Sequence, residues 1–218
     1  MDLTNRERFM RLMRGQPVDR APLVPCFGPW PETLQRWHSE GLAQDADYRE
    51  VVGFDGDLRH ILPVNAYLCP QPQPQVLSDE GETEVIIDSR GIKQRARKDG
   101  GSMPEFLAHP VETRGDWETI RKLLQPDAPG RFIPDWDRFC RAHADRTEPW
   151  YAGDLPVGFF GGPRELMGFE RLVLCYYDDP ALVCDIMDTL CDLWVGVFSR
   201  ALADAPVDFF FIWEDMCF

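Results

Sequence analysis

The sequence predicts an α/β fold with parallel strands. Four strand-like segments, near residues 21, 54, 153 and 207, alternate with segments of helical spacing. A long helical segment at 180–204 precedes the last of them, and a strand-helix-strand crossover of this length joins neighbouring parallel strands. The final segment is apolar on both faces, as strands covered by helices are. An open doubly wound sheet and a barrel both satisfy this order.

The N-terminal quarter contains the first helices and two of the strands. Thr4 and Glu7 form a capping box, which predicts a helix that ends near Gly15. The elements expected next are a strand broken by prolines, a helix opened by a proline, a short helix and a second strand, at 21–27, 31–41, 45–52 and 53–62.

In the rest of the chain the spacing of apolar residues changes from helical to alternating and back to helical. Alternating segments at 83–88 and 92–98 flank a turn that ends in Gly91, so we predict a β-hairpin within an insertion at about 76–98. Asp179 followed by Pro180 predicts the start of the long helix, which carries a core-facing apolar stripe. The remaining elements are helices at 117–124 and 135–144, a strand at 151–160 and a helical stretch opened by Pro163.

The composition of the chain indicates which partners the protein binds and in which cellular compartment it works. The net charge is −14, and an acidic surface repels phosphate backbones and anionic lipids, so we expect neither nucleic acid nor membrane as a partner. No apolar stretch reaches the ~20 residues that cross a bilayer, and the N-terminus lacks a signal-peptide core, which predicts a cytoplasmic protein. The seven cysteines contain no Cys-x-x-Cys pair and are interpreted as small buried apolar residues.

Several segments carry a family resemblance. They are TNRERF at 4–9, GQPVDRAP at 15–22, GFFGGP at 158–163, YYDDP at 176–180 before the long helix, and the stretch 207–215. In order and spacing they resemble the uroporphyrinogen decarboxylase superfamily, which also contains corrinoid-dependent methyltransferases. The resemblance covers residues 4–218 with gaps.

The resemblance implies a specific architecture. That superfamily is built on a (β/α)₈ TIM barrel, which typically takes ~250 residues, whereas four strands and the insertion already occupy this chain. We therefore expect residues 1–218 to form one partial domain, roughly the first half of a barrel with about four parallel strands. Its open sheet edge would favour aggregation or a homodimer.

Acidic residues at strand ends are the candidate catalytic groups. Glu214 and Asp215 directly follow the last apolar strand, where a buried carboxylate is costly unless it is paired or functional. The alternative is a solvated loop acid or a helix cap. Asp57 lies near the position where the decarboxylases have an acid thought to stabilise a protonated pyrrole, although Asp55 lies close by and a turn or cap role fits as well. His60 is either a nearby base or ligand, or a packed side chain.

The candidate substrate-binding residues differ from those of true decarboxylases. Decarboxylases are expected to carry an Arg-Gln-Ala-Gly-Arg motif after the first strand, because a substrate with eight carboxylates needs guanidinium groups to hold it. Here no arginine occurs between Arg20 and Arg36. Aromatic side chains instead predict a site for a less charged substrate or a corrin face, with core packing as the alternative. The candidate binding residues are Phe27, Trp30, Phe160 and, as the basic group, Arg164.

The methyltransferase branch implies a zinc site and a corrinoid. Its thiol substrate is activated on zinc held by a His-x-Cys pair and a distant cysteine. No His-x-Cys occurs here, so we assign no metal ligand within this chain and expect zinc and a corrinoid only in a longer protein.

The first functional hypothesis is an enzyme that moves a methyl group between a small-molecule substrate and a corrinoid carried by a partner protein. The alternatives are a uroporphyrinogen decarboxylase acting through Asp57, and an incomplete barrel or subunit without activity of its own.

Overall fold

A computed structural model of the protein describes residues 3–25, 28–56 and 60–214, and the chain forms two compact units. The first unit comprises residues up to 62, 137–152 and 207–210. The second comprises 63–136, 153–206 and the residues from 211 onward.

The described residues contain eight α-helices and six β-strands. The helices are α1 (Asn5–Met13), α2 (Pro31–Ser39), α3 (Tyr48–Val52), α4 (Arg114–Ile120), α5 (Trp136–Ala144), α6 (Gly161–Met167), α7 (Phe169–Asp178) and α8 (Pro180–Asp204). The strands are β1 (Gln75–Asp79), β2 (Thr83–Ile87), β3 (Lys93–Arg97), β4 (Glu105–Ala108), β5 (Tyr151–Gly153) and β6 (Phe209–Phe211).

Local sequence signals predicted where α1 and α8 begin, and both predictions are confirmed. At α1 the Thr4 hydroxyl accepts the Glu7 N–H at 3.2 Å, and the Glu7 carboxylate accepts the Thr4 N–H at 2.9 Å. At α8 the Asp179 side chain accepts the Leu182 N–H at 3.2 Å. The apolar stripe of α8 is buried as predicted, because a 25-residue helix gains most of its stability from packing one face.

The larger sheet is antiparallel and follows chain order, β1-β2-β3-β4. Its centre is the predicted hairpin, in which Thr83 pairs with Arg97 and Ile87 with Lys93. The two outer strands were not predicted. Every residue of β1 is exposed, so no alternation of apolar and polar residues marks it as a strand.

The prediction of half a TIM barrel with about four parallel strands is wrong. Beyond the antiparallel sheet, the described residues contain a two-stranded parallel sheet of β5 and β6 and an isolated parallel bridge between Ile61 and Tyr151.

The half-barrel is absent from the described residues because the segments expected to form its first and second strands do not form full strands. Residues 21–25 form no strand, since Pro22 and Pro25 lack the N–H groups that a sheet requires. The segment expected at 53–62 begins with Gly53, which takes φ 78° and ends α3, so the chain is not extended there. Residues 21–25 therefore contribute no strand, and the segment 53–62 adds only the parallel bridge from Ile61 to Tyr151 of β5.

None of the helices in the described ranges combines the length and the low polarity that crossing a bilayer requires.

A buried arginine organises loops of the second unit. Arg131 is only 2% exposed, and its guanidinium donates to the backbone carbonyls of Gln125 at 3.0 Å, Asn65 at 3.1 Å and Leu123 at 2.9 Å, and also to that of Tyr67. Burial lowers the pKa of Arg131, but an arginine side chain still stays protonated. These loop carbonyls therefore depend on one cation.

In the first unit a buried carboxylate is held by two arginines. Asp208 has a side chain that is 2% exposed, and it accepts from Arg6 at 2.8 Å, from Arg146 at 3.2 Å and from the Trp150 N–H at 3.1 Å. Burial by itself raises the pKa of Asp208, but the bonds from Trp150, Arg6 and Arg146 outweigh it and lower the pKa below its usual value.

We predict that Arg131→Met lowers the free energy of unfolding by roughly 2–5 kcal/mol, because it leaves several buried carbonyls without a donor. Urea denaturation followed by circular dichroism measures the change. Arg138→Met, at an exposed position of α5, is the matched control and should shift the midpoint little. Equal stability of the two variants would show that the carbonyls find other donors.

A second prediction concerns pH. Because the folded-state pKa of Asp208 is lowered, its stabilising contribution is present above the unfolded-state pKa of about 3.9 and is lost as the pH falls through the folded value. The stability difference between the unmodified chain and Asp208→Asn should therefore be largest near neutral pH and shrink in acid. Asp45→Asn, at an exposed aspartate, serves as control, and a pH-independent difference would contradict the prediction.

Candidate functional site

The loop before α6 lies against the chain at Trp213 and Glu214. The Trp213 N–H donates to the Val157 carbonyl at 2.7 Å. A Cβ added at Gly158 or at Gly161 would lie 2.4 Å from the Trp213 carbonyl oxygen. This close approach therefore requires that both positions carry no side chain.

Glu214 is held by the first turn of α6. Its Oε1 accepts the Phe160 N–H at 3.0 Å, and its Oε2 accepts the Gly161 N–H at 3.2 Å. Free N–H groups at a helix start favour a carboxylate in this position. The sequence left a helix cap and a functional acid open for Glu214, and this geometry orients the carboxylate as a cap does.

An aromatic pair lies at the start of α6 and α7. The rings of Phe160 and Phe169 meet edge to face with centroids 6.1 Å apart. Tyr176 lies two turns after Phe169 on α7, and burial together with the charge of Glu214 raises the pKa of its hydroxyl. Phe160 therefore joins the two features, because its backbone N–H donates to Glu214 and its ring packs on Phe169.

The structure brings together part of the predicted site. Glu214, Phe160 and Arg164 all belong to the second unit, with Arg164 half-buried in α6. Trp30 belongs to the first unit, where it precedes α2 and is 56% exposed. Three predicted residues lie outside the described residues: Phe27, Asp57 and Asp215.

The alternatives to Asp57 have structural roles. Asp55 accepts the Leu23 N–H at 2.7 Å and forms a two-pronged ion pair with Arg20, which lowers the pKa of Asp55 to about 2. His60 stacks on Trp150 with ring centroids 5.4 Å apart. These contacts account for the acid and the histidine as an ion-pair partner and a packed ring.

Two clefts lie away from the predicted residues. An apolar cleft of about 460 Å³ in the first unit is lined by residues of α2, α3 and the loop between them, among them Trp37 and Tyr48. A more polar cleft of about 430 Å³ in the second unit includes Arg114, Arg171 and Asp179. None of the predicted site residues lines either cleft.

Metal ligands are not grouped in the part of the chain that the structure describes. No cluster of three or more His, Cys, Asp or Glu side chains there is placed to hold a metal ion.

Comparison with protein-family models, with curated proteins and with solved structures finds no match to this chain.

Sequence reasoning did not single out Phe169 and Tyr176, two exposed rings on one face of α7. Tyr176 begins one of the segments that carry the family resemblance, but it was considered only as part of that segment. The available signal was their separation of seven residues, which places two aromatic side chains on one helix face. The contact of Phe169 with Phe160 depends on folding and has no signal in the sequence.

We predict that Gly161→Ala destabilises the second unit by about 1–3 kcal/mol, because the new methyl group overlaps a backbone carbonyl that cannot rotate away. Gly115→Ala is the control, since its Cβ would meet only ordinary contacts in α4 and should stabilise the helix by about 0.5–1 kcal/mol. Thermal unfolding compares the two variants. If both shift the melting temperature in the same direction, the close approach is not a constraint.

Proposed function

We propose that this chain belongs to an enzyme of the uroporphyrinogen decarboxylase superfamily that moves a methyl group between a small substrate and a corrinoid carried by a partner protein. The observation that carries the proposal is the meeting of two resembling segments at one carboxylate. Glu214, from the segment 207–215, accepts hydrogen bonds from Phe160 and Gly161, which lie in the segment 158–163.

The charges near this carboxylate favour a weakly charged substrate. Phe160 and Phe169 form an aromatic pair, and Arg164 is the arginine of α6. A porphyrinogen with eight carboxylates needs several guanidinium groups, whereas an aromatic site with one acid suits a small, neutral or cationic molecule.

The proposal assigns no step to zinc. The described residues contain no cluster of three or more metal ligands, and the zinc that the resemblance implies is expected only in a longer protein. A corrinoid would supply the cobalt centre that accepts or donates the methyl group. The contribution of this chain is to bind and orient the small substrate beside Glu214.

The proposal predicts methyl transfer that depends on the charge of Glu214. With the purified chain and free cobalamin as the probe for the corrinoid, we expect a substrate-dependent change in the cobalamin absorbance spectrum. Glu214→Gln keeps an oxygen that accepts N–H groups but removes the charge, so the rate should fall by about tenfold or more. Gly115→Ala, far from the site in sequence, should retain the rate.

Three results would overturn the proposal. Loss of CO₂ from an octacarboxylate porphyrinogen would assign the chain to the decarboxylases. A folded chain without either activity would identify it as an inactive subunit. An unchanged rate in Glu214→Gln would show that the Glu214 carboxylate only caps the helix and takes no part in methyl transfer.

A further inference from the structure

The polar cleft of about 430 Å³ in the second unit lies where one face of α7 meets the starts of α4 and α8. Arg114 is the first residue of α4, and Asp179 is the N-cap of α8. The lining residues of α7 fall within about 140° of each other around the helix axis, and so share one face. They are Glu170, Arg171, Leu174, Cys175 and Asp178. A cleft of this volume holds a small molecule.

One pair of charges in the cleft is already neutralised. Arg114 donates to the Asp179 carboxylate from Nε at 3.0 Å and from Nη2 at 2.6 Å, and the same carboxylate accepts the Leu182 N–H at 3.2 Å. These bonds join α4 to the start of α8 and leave the ion pair with no net charge. The ligand preference of the cleft therefore depends on its other charged residues.

Arg171 is the cation of the cleft that lacks an acceptor. Its side chain is half-buried, and its Nε is buried without a hydrogen-bond partner among the described residues. A buried N–H group without an acceptor is costly. Because guanidinium N–H groups match the two oxygens of a carboxylate, a ligand carboxylate would supply what Arg171 lacks.

Two exposed acids, Glu170 and Asp178, line the same cleft. With the Arg114–Asp179 pair neutral, the remaining charges of the cleft are one positive and two negative. Such a set repels an anion with several charges, such as phosphate. A ligand with one carboxylate and two cationic groups has the complementary set of charges.

We propose that this cleft binds a free basic amino acid, with Arg171 holding the α-carboxylate and with Glu170 and Asp178 attracting the two cationic groups. Cys175 and Leu182 are buried and add apolar surface for the methylene chain between those groups. The site goes beyond the proposed function, since none of the residues predicted for that function lines this cleft.

Three small molecules test the charge requirement. L-Lysine carries one carboxylate and two ammonium groups, cadaverine lacks the carboxylate, and 6-aminohexanoate lacks the α-ammonium group. In calorimetric titrations of the full chain, lysine should bind about tenfold more tightly than either analogue, because each analogue loses one charge-assisted contact. Failure of lysine to bind would overturn the proposal. Equal affinity for lysine and cadaverine would also overturn it, since the acidic surface alone would then attract the ligand.

Arg171→Met tests the carboxylate contact. Lysine should bind about tenfold more weakly to this variant, whereas cadaverine, which has no carboxylate, should bind no more weakly than before. The variant should keep the unfolding midpoint of the unmodified chain, because it removes a buried N–H group that has no acceptor.

Lys122→Met is the matched control for Arg171→Met. It removes one positive charge from an exposed position of the same unit that does not line the cleft, so it should leave lysine binding unchanged. An equal loss of lysine binding in the two variants would show a general effect of net charge and overturn the proposal.

Asp178→Asn tests the cation contacts. It should weaken the binding of lysine and of cadaverine alike, because both probes are cations. Asp192→Asn, at an exposed position of α8 outside the cleft, is its control and should change neither affinity. Equal losses in the two asparagine variants would show that the ligand binds the acidic surface at large and would contradict the assignment to this cleft.

Discussion

The arrangement of the candidate site depends on one steric constraint, the absence of side chains at positions 158 and 161. Because both positions are glycine, the carbonyl of Trp213 approaches the loop before α6 at a distance that no Cβ would permit. That approach brings the Glu214 carboxylate to the first N–H groups of α6. The backbone thus holds the acid in place through the N–H groups of Phe160 and Gly161.

Holding a carboxylate by peptide N–H groups does not consume its capacity for a ligand. An ionised carboxylate has about four lone-pair sites, and Glu214 receives N–H groups from two residues, so it retains both its charge and further acceptor sites. Arg131 is the opposite case in the same unit. Its guanidinium is buried and its bonds to loop carbonyls stabilise structure, whereas Glu214 is only half-buried.

The contrast between the expected barrel and the observed sheets follows from the range of the contacts. The four antiparallel strands are consecutive in the chain, so each pairs with its neighbour through a short connection. Parallel pairing needs partners far apart in sequence, and here it is limited to short segments such as β5 and β6. The prolines at 22 and 25 explain why the first predicted strand is missing, and the left-handed Gly53 explains why the second is reduced to a parallel bridge at Ile61.

The sequence by itself determined the features whose cause lies within a few residues. The capping box of Thr4 and Glu7, the start of α8 at Asp179 and the β2–β3 hairpin all follow from hydrogen bonds or turns between near neighbours. It also identified Glu214 and Phe160 as candidate site residues, because an acid after an apolar strand and an aromatic residue beside glycines are visible in the sequence.

Only the tertiary structure decided how these residues are used. Glu214 meets Phe160 across 54 positions, and Asp55 meets Arg20 across 35. Neither partner is implied by local spacing, since many acids and donors in the chain have equal local propensity. Phe169 meets the ring of Phe160 for the same reason. A side chain's neighbours depend on how the chain folds back, and that is decided by the sum of many weak contacts rather than by any single residue.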